Sequence, residues 1–342
     1  MRALVWIALV LAVALAGLLL FWSSADRFPS EPAQRSGPHF SLPVDCSMPD
    51  VCFIQQYVDT RAGEAAEDYR CGPLSYDDHG GTDIRVRTMA EMEAGVAVIA
   101  AAPGVVKGLR DGMADVNVSR IGRDALGGRD AGNGVVIDHG NGWETQYSHL
   151  KRGSLQVRQG QQVERGTPLG EIGLSGNTEF PHVDFALRHN GITLDPFTGR
   201  AEATGCGEGE SLWEEGFEEA LAYVRGGALF DGFLDRPPEL DEAVDGAYRD
   251  VRPGRAAPAL VYYGLVWGLQ SGDRDEIELV GPDGKTIARA EGEIERDKAR
   301  WMRFTGRRQP AGGWPAGTYQ GRYRVWRGDD LVVDMRRALT LD

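Results

Sequence analysis

Cysteine is scarce in this chain. Four occur among 342 residues, Cys46, Cys52, Cys71 and Cys206, and no two form a C-x-x-C pair. That spacing argues against a thiolate metal site. Basic charge is also in short supply. Thirty-seven Lys and Arg face 51 Asp and Glu, for a net charge of −14, which argues against nucleic acid as a partner. No internal repeat and no low-complexity tract is present, which sets aside solenoid architectures and disordered arrays.

What is present is ordinary for a globular protein: 42% hydrophobic and 26% charged residues, enough for a sizeable core, and a length that suggests two domains plus extras. The charge is uneven. Between Gly207 and Asp250 there are thirteen acidic and three basic residues, which reads as a solvated acidic helix and linker. Ala3 to Trp22 are twenty consecutive apolar residues, long enough to span a bilayer as a helix. Ala14-Leu15-Ala16 offers a signal-peptide cleavage site as the rival reading, but Gly17 to Trp22 stays apolar past it. Arg2 favours a cytoplasmic N-terminus. Either way the chain after Ser23 is expected outside the cytoplasm, with residues 23–43 as a tether.

The four cysteines then lie where disulfides persist. Three connectivities are open; the favoured one has Cys46–Cys52 as a local loop and Cys71–Cys206 as a clasp on the two ends of the core. From Tyr76 to Phe197 short apolar runs alternate with Gly-rich turns: Val96 to Ala100, Val135 to Asp138, Thr145 to His149 and Val183 to Arg188. This predicts an all-β domain. Gly108 to Gly132 reads as a surface loop or extended hairpin. Ser211 to Arg225, with Leu212, Trp213, Phe217, Leu221 and Val224 at helical spacing, predicts a helix. From Ala259 onward strands return. Gly281-Pro282-Asp283-Gly284 marks a hairpin turn, and Tyr319, Tyr323 and Val325 share a face opposite Arg322 and Arg324. The expectation there is a small β-sandwich of roughly immunoglobulin type.

Two stretches carry the chemistry. On a strand, residues two or four apart share a face. His182 and Asp184 then point one way while Val183 and Phe185 enter a core, and His79 and Asp83 likewise point together. Two strands each offering a His and an Asp can enclose a divalent metal, for which a catalytic zinc needs three protein ligands and one open position. Gly80 and Gly81 between His79 and Asp83 allow a close approach of backbone or substrate. His139 reads as structural, its ring bonding a neighbouring carbonyl; His189 reads as exposed and His39 as part of the tether. Asn177 and Thr178 read equally as groove lining or a plain turn.

The series His79-x-x-x-Asp83, Val136-Ile137-Asp138-His139-Gly140-Asn141-Gly142, Tyr147-Ser148-His149-Leu150, Gly166-Thr167-Pro168-Leu169-Gly170, Gly173-Leu174-Ser175-Gly176-Asn177-Thr178 and Pro181-His182-x-Asp184-Phe185 resembles the lysostaphin-type zinc metallopeptidases, which cleave peptide bridges of bacterial peptidoglycan. The resemblance covers about residues 74–197. It implies a compact antiparallel β domain with zinc ligands at His79 and Asp83 and catalytic histidines at His149 and His182. The family's third zinc ligand is a histidine; here that position is Asp184. Asp Oδ and His Nδ1 lie equally far from the backbone, and a carboxylate is an accepted zinc ligand. One His and two carboxylates cancel the charge of the ion, so its water is less acidified and a harder ion such as manganese gains ground.

The expected layout is thus a membrane anchor or signal segment (1–22), a tether (23–43), a peptidase-like domain (44–206), an acidic helical linker (207–255) and a β-sandwich (256–342). The expected activity is metal-dependent endopeptidase action on peptidoglycan cross-links, in the periplasm on an inner-membrane anchor, or secreted if the segment is cleaved. A catalytically weak relative that binds wall peptides or regulates another wall hydrolase is the second reading. A third makes the C-terminal sandwich a dock for a protein partner.

Overall fold

The computed structural model describes residues 37–342. The apolar run from Ala3 to Trp22 and most of the expected tether lie outside the described residues. Among the described residues no helix is long and apolar enough to cross a membrane.

The first part of the fold contains eleven strands: Val44–Asp45 (β1), Cys52–Gln56 (β2), Thr82–Val86 (β3), Ala97–Ile99 (β4), Gly104–Arg110 (β5), Asn133–Gly140 (β6), Trp143–Leu150 (β7), Gln162–Val163 (β8), Pro168–Glu171 (β9), His182–His189 (β10) and Ile192–Leu194 (β11). Seven run β2-β3-β10-β7-β6-β5-β8 across one sheet, with β11 on β10, and β1-β4-β9 form a second. The neighbours are antiparallel throughout. Alternation dictates the packing of β10. Val183, Phe185 and Leu187 are fully buried against Tyr147, Ile137 and Trp213 in one core, each worth about 2–3 kcal/mol of apolar burial. The single-turn helix Met89–Ala94 (α1) is closed by a capping box from Thr88 and Glu91. The 108–132 stretch leaves β5 at Arg110 and adds a short helix at Val118–Ile121 (α2).

Both disulfides pair as favoured, Cys46 with Cys52 and Cys71 with Cys206. The tether boundary needs correction: Phe40 is fully buried, and its backbone bonds to Leu212 and Glu214. The helix expected over Ser211–Arg225 does not form. Trp213 bridges Phe40 in parallel, Trp213 meets Phe185 and Phe197, and Tyr223 stacks on Tyr57. The large side chains are drawn to separate sites on the first core, which a path of short turns satisfies and a single helical stripe does not. The expected 207–255 linker also contains a strand, Gly227–Leu234 (β12), besides the five-residue helix Leu240–Val244 (α3).

The C-terminal part completes that strand with Ala259–Leu269 (β13), Arg274–Val280 (β14), Thr286–Glu293 (β15), Lys298–Arg308 (β16), Gly317–Arg327 (β17) and Asp330–Leu341 (β18). They form a three-stranded sheet, β12-β13-β16, and a four-stranded one, β15-β14-β17-β18. The inward faces meet in a core of Leu260, Tyr262, Ile277, Leu279, Tyr319, Tyr323 and Val325. Leu265 and Trp267 of β13 instead join the first core, and Trp267 stacks on Phe53 of the edge strand β2 with ring centroids 4.9 Å apart.

Candidate metal centre

Antiparallel register sets Asp83 of β3 directly opposite Asp184 of β10, and Asp184 opposite Ser148 of β7. His79 is not on a strand as expected: β3 begins at Thr82. His79 closes a turn through its N–H to the Tyr76 carbonyl, after Asp78 at a positive φ of 60°, and that turn delivers the imidazole to the same place. One donor atom each from His79, Asp83 and Asp184 lie within 4.8 Å of one another.

The hydrogen bonds around these residues set their tautomers. A carbonyl can only accept, so His79 Nδ1 donates to the Tyr57 carbonyl at 2.8 Å and Nε2 faces Asp83 Oδ1 at 3.1 Å. This is the outer bond that orients a metal-ligating histidine. Burial opposes charge on His79, but the Asp83 carboxylate more than offsets it and pushes the imidazole up to about 9. Burial also opposes charge on Asp83, and His182 and His79 together hold it well below the usual carboxylate range. Asp184 is pushed the other way, by burial and then by Asp83. Its Oδ1 is buried without a hydrogen-bond partner. A Cβ on Gly81 would sit 1.7 Å from that oxygen, so only glycine admits the carboxylate there. An orphaned buried carboxylate oxygen beside an imidazole nitrogen, from which a cation would displace a proton, and a second carboxylate fits a divalent cation in donor type and number.

His149, next to last in β7, has a positive φ of 62°, strained backbone of the kind that gathers at functional sites. Its Nδ1 donates to the Ser175 carbonyl at 2.7 Å. Burial, then His182, pushes it down to about 3, so the ring is neutral and Nε2 keeps its lone pair. His182 lies beside it, ring centroids 4.7 Å apart. His182 Nδ1 donates to the Phe180 carbonyl at 3.0 Å, with the Thr178 hydroxyl oxygen 3.2 Å away, and Nε2 faces Asp83 Oδ1 at 3.3 Å. The five residues singled out from sequence are therefore brought together.

Of the rest, His139 bonds the Pro103 carbonyl at 2.7 Å, the structural role expected. His189 is half-buried rather than exposed, stacked on Trp143 with centroids 4.3 Å apart; Trp143 pairs with it across β7 and β10. His39 bonds the Trp213 carbonyl at 3.3 Å. Thr178 serves the site through His182, and the Asn177 N–H donates to the Asp130 carbonyl at 2.7 Å. Sequence reasoning missed Tyr76, whose ring stacks on His79 at 4.2 Å while remaining 48% exposed; an aromatic three residues before the first ligand was the available signal. The carbonyls of Tyr57, Ser175 and Phe180 left none, because a backbone acceptor has no residue type.

Residues 77–196 match the model of peptidase family M23. Over 58 residues the chain is 40% identical to the cell division protein DipM of Caulobacter vibrioides, covering 17% of this chain and 9% of that protein. Over 57 residues it is 44% identical to the peptidoglycan DD-endopeptidase ShyA of Vibrio cholerae, 17% of this chain and 13% of that protein. The chain thus spans less than a fifth of the length of these relatives. Among solved structures, a zinc-containing peptidase from Vibrio cholerae aligns at 22% identity and a TM-score of 0.32 over 50% of this chain and 40% of that one. The catalytic domain of lysostaphin from Staphylococcus simulans aligns at 20% and 0.26 over 41% and 85%.

Proposed function

Because residues 77–196 constitute a peptidase family M23 domain, we propose that this chain is a metal-dependent endopeptidase acting on peptide cross-links of peptidoglycan. The observation that carries the reading is the orphaned Asp184 Oδ1 among His79 and Asp83, with two further histidines alongside. His79 through Nε2, Asp83 and Asp184 would hold the ion. When bound, a divalent ion there supplies an acidified water and a charge that polarises the scissile carbonyl. His149, neutral and with Nδ1–H anchored on Ser175, offers Nε2 to take a proton. His182, with Nδ1–H anchored on Phe180, turns Nε2 inward, where in its protonated form it would donate to the charge developing on the substrate oxygen. The substrate class is supported by the relatives named for peptidoglycan endopeptidase activity.

The test is digestion of purified cell-wall sacculi by the full chain supplied with zinc or manganese, with product peptides read by mass spectrometry. Released cross-link fragments that vanish on chelation are expected. Asp184 in the third-ligand position favours the second reading, a binder or regulator of another hydrolase. It takes over if no metal elicits turnover while Asp184→His does. The apolar segment 3–22 supports placement in the cell envelope, by anchor or export; fractionation of cells into membrane and soluble pools checks that.

A further inference from the structure

Two links run from the C-terminal sandwich to His182. We propose that the sandwich is a positioning element for this histidine, with Arg300 as its main positioning residue. The inference rests on the hydrolytic reading of His182.

Both links start at one place. Trp267 of β13 and Arg300 of β16 are directly paired across strands, so their side chains leave the same face of the sheet. The Arg300 guanidinium bonds the Glu179 carboxylate and also donates to the Glu179 carbonyl at 3.4 Å. Glu179 lies between the two residues that hold the His182 ring. The Thr178 hydroxyl donates to the Phe180 carbonyl at 2.9 Å, and that carbonyl and hydroxyl oxygen together receive His182 Nδ1–H. Arg300 therefore grips the middle of a three-residue segment whose outer members fix the tautomer and rotation of the ring. Asn117 Nδ2 adds a second donor to the same Glu179 carbonyl at 3.2 Å.

The second link is a stack. Trp267 lies on Phe53 at 4.9 Å. The guanidinium of Arg85 sits over Phe53 at 5.8 Å and over Phe180 at 4.6 Å. Phe180 in turn meets the His182 ring at 4.6 Å. Arg85 is 2% exposed and, among the described residues, has no carboxylate partner. Its Nε donates to the Val86 carbonyl at 2.9 Å and its Nη1 to the Gln55 side-chain oxygen at 2.5 Å, which fixes the guanidinium plane between the two aromatic faces. An exposed ion pair contributes little stability, but Arg300 is 17% exposed and engages backbone as well as carboxylate. Its effect is on geometry, where a misplacement of about 1 Å can cost about a hundredfold in rate.

The experiment compares the full chain with Arg300→Ala and Arg300→Lys, reading kcat and KM on a cross-linked wall peptide and exchange of the His182 Nδ1–H by NMR. Melting temperature and bound metal are measured alongside. Arg300→Ala is expected to lower kcat about tenfold with KM within about twofold, to speed ring N–H exchange about tenfold, and to leave metal content unchanged; Arg300→Lys recovers part of both. Wild-type kcat together with wild-type exchange in Arg300→Ala overturns the proposal. A wild-type chain without turnover would sink the hydrolytic reading alone, since ring exchange still decides this one. Should Arg300→Ala fail to fold, Glu179→Gln carries the same two readouts with a smaller expected change, and wild-type values there overturn the proposal equally.

Discussion

Two groups of buried acids, one in each half of the fold, have opposite surroundings. In the C-terminal sandwich, Asp275 is fully buried and fully answered: Arg303 Nε donates at 2.7 Å, Trp301 Nε1 at 2.9 Å and Tyr323 hydroxyl at 3.0 Å. Asp273 is held by Arg327, and Glu276 by Arg289 and Arg324. At the metal centre Asp83 is 1% exposed, yet among the described residues no Lys or Arg pairs with Asp83 or Asp184. A buried acid with its own cation is structural and closed. One left facing histidines, with an oxygen orphaned, is held ready for something that arrives later.

This contrast can be broken most sharply at Asp275. Asp275→Ala strands Arg303 and is expected to destabilise the chain by about 3–5 kcal/mol. Denaturant titration checks it, and a loss under about 1 kcal/mol would dissolve the distinction. At the other end, truncation should show in rate rather than stability. His149→Ala and His182→Ala are each expected to lose about a hundredfold or more in kcat while keeping fold and metal; near-wild-type turnover in either removes that residue from the reaction.

Asp195 sharpens the comparison because it lies between the two cases. It is buried, but only neutral donors answer it, the Thr198 hydroxyl at 2.6 Å and the Phe197 N–H at 3.2 Å. Burial pushes its carboxyl up to about 6, against the lowering effect of those bonds. The folded state then holds the proton more tightly than the unfolded chain. Its favourable contribution is full below the ordinary carboxylate value and is lost as pH rises through about 6, on the order of 3 kcal/mol in all. Asp195→Asn should flatten this part of the stability curve between pH 4 and 7; an unchanged slope refutes the assignment. The smallest effect is at Asp184. In chelator, Asp184→Asn is expected to raise stability by about 1 kcal/mol, since an unanswered buried charge is removed. With metal supplied, calorimetry should find affinity reduced about tenfold. A loss of stability in chelator would mean that Asp184 is paired after all.

The site was legible from side-chain chemistry at fixed spacing. His182 and Asp184 share a strand with buried Val183 and Phe185, and period two is enough to find them. His79 was found for a partly mistaken reason, since a turn rather than a strand brings it to Asp83. The helix expected at Ser211–Arg225 failed because its apolar residues serve a core built elsewhere in the chain, and spacing cannot say which surface a side chain will cover. The same limit hid β12 inside an acidic segment. Arg85 and Arg300 were invisible for another reason: their neighbours Phe53, Phe180 and Glu179 are distant in sequence, and a lone arginine on a strand reads as solvent-facing.

The parallel bridge between Phe40 and Trp213 has a consequence for how such a chain is assembled over evolutionary time. It brings the entry and the exit of the M23 unit side by side, as the Cys71–Cys206 bond does one layer further in. A unit whose two ends meet can be spliced between other segments like a cassette, because the host need only supply two adjacent attachment points. The strands beyond Trp213 then meet that unit again, through Trp267 on Phe53 and Arg300 on Glu179, so they bear on its sheet without interrupting it.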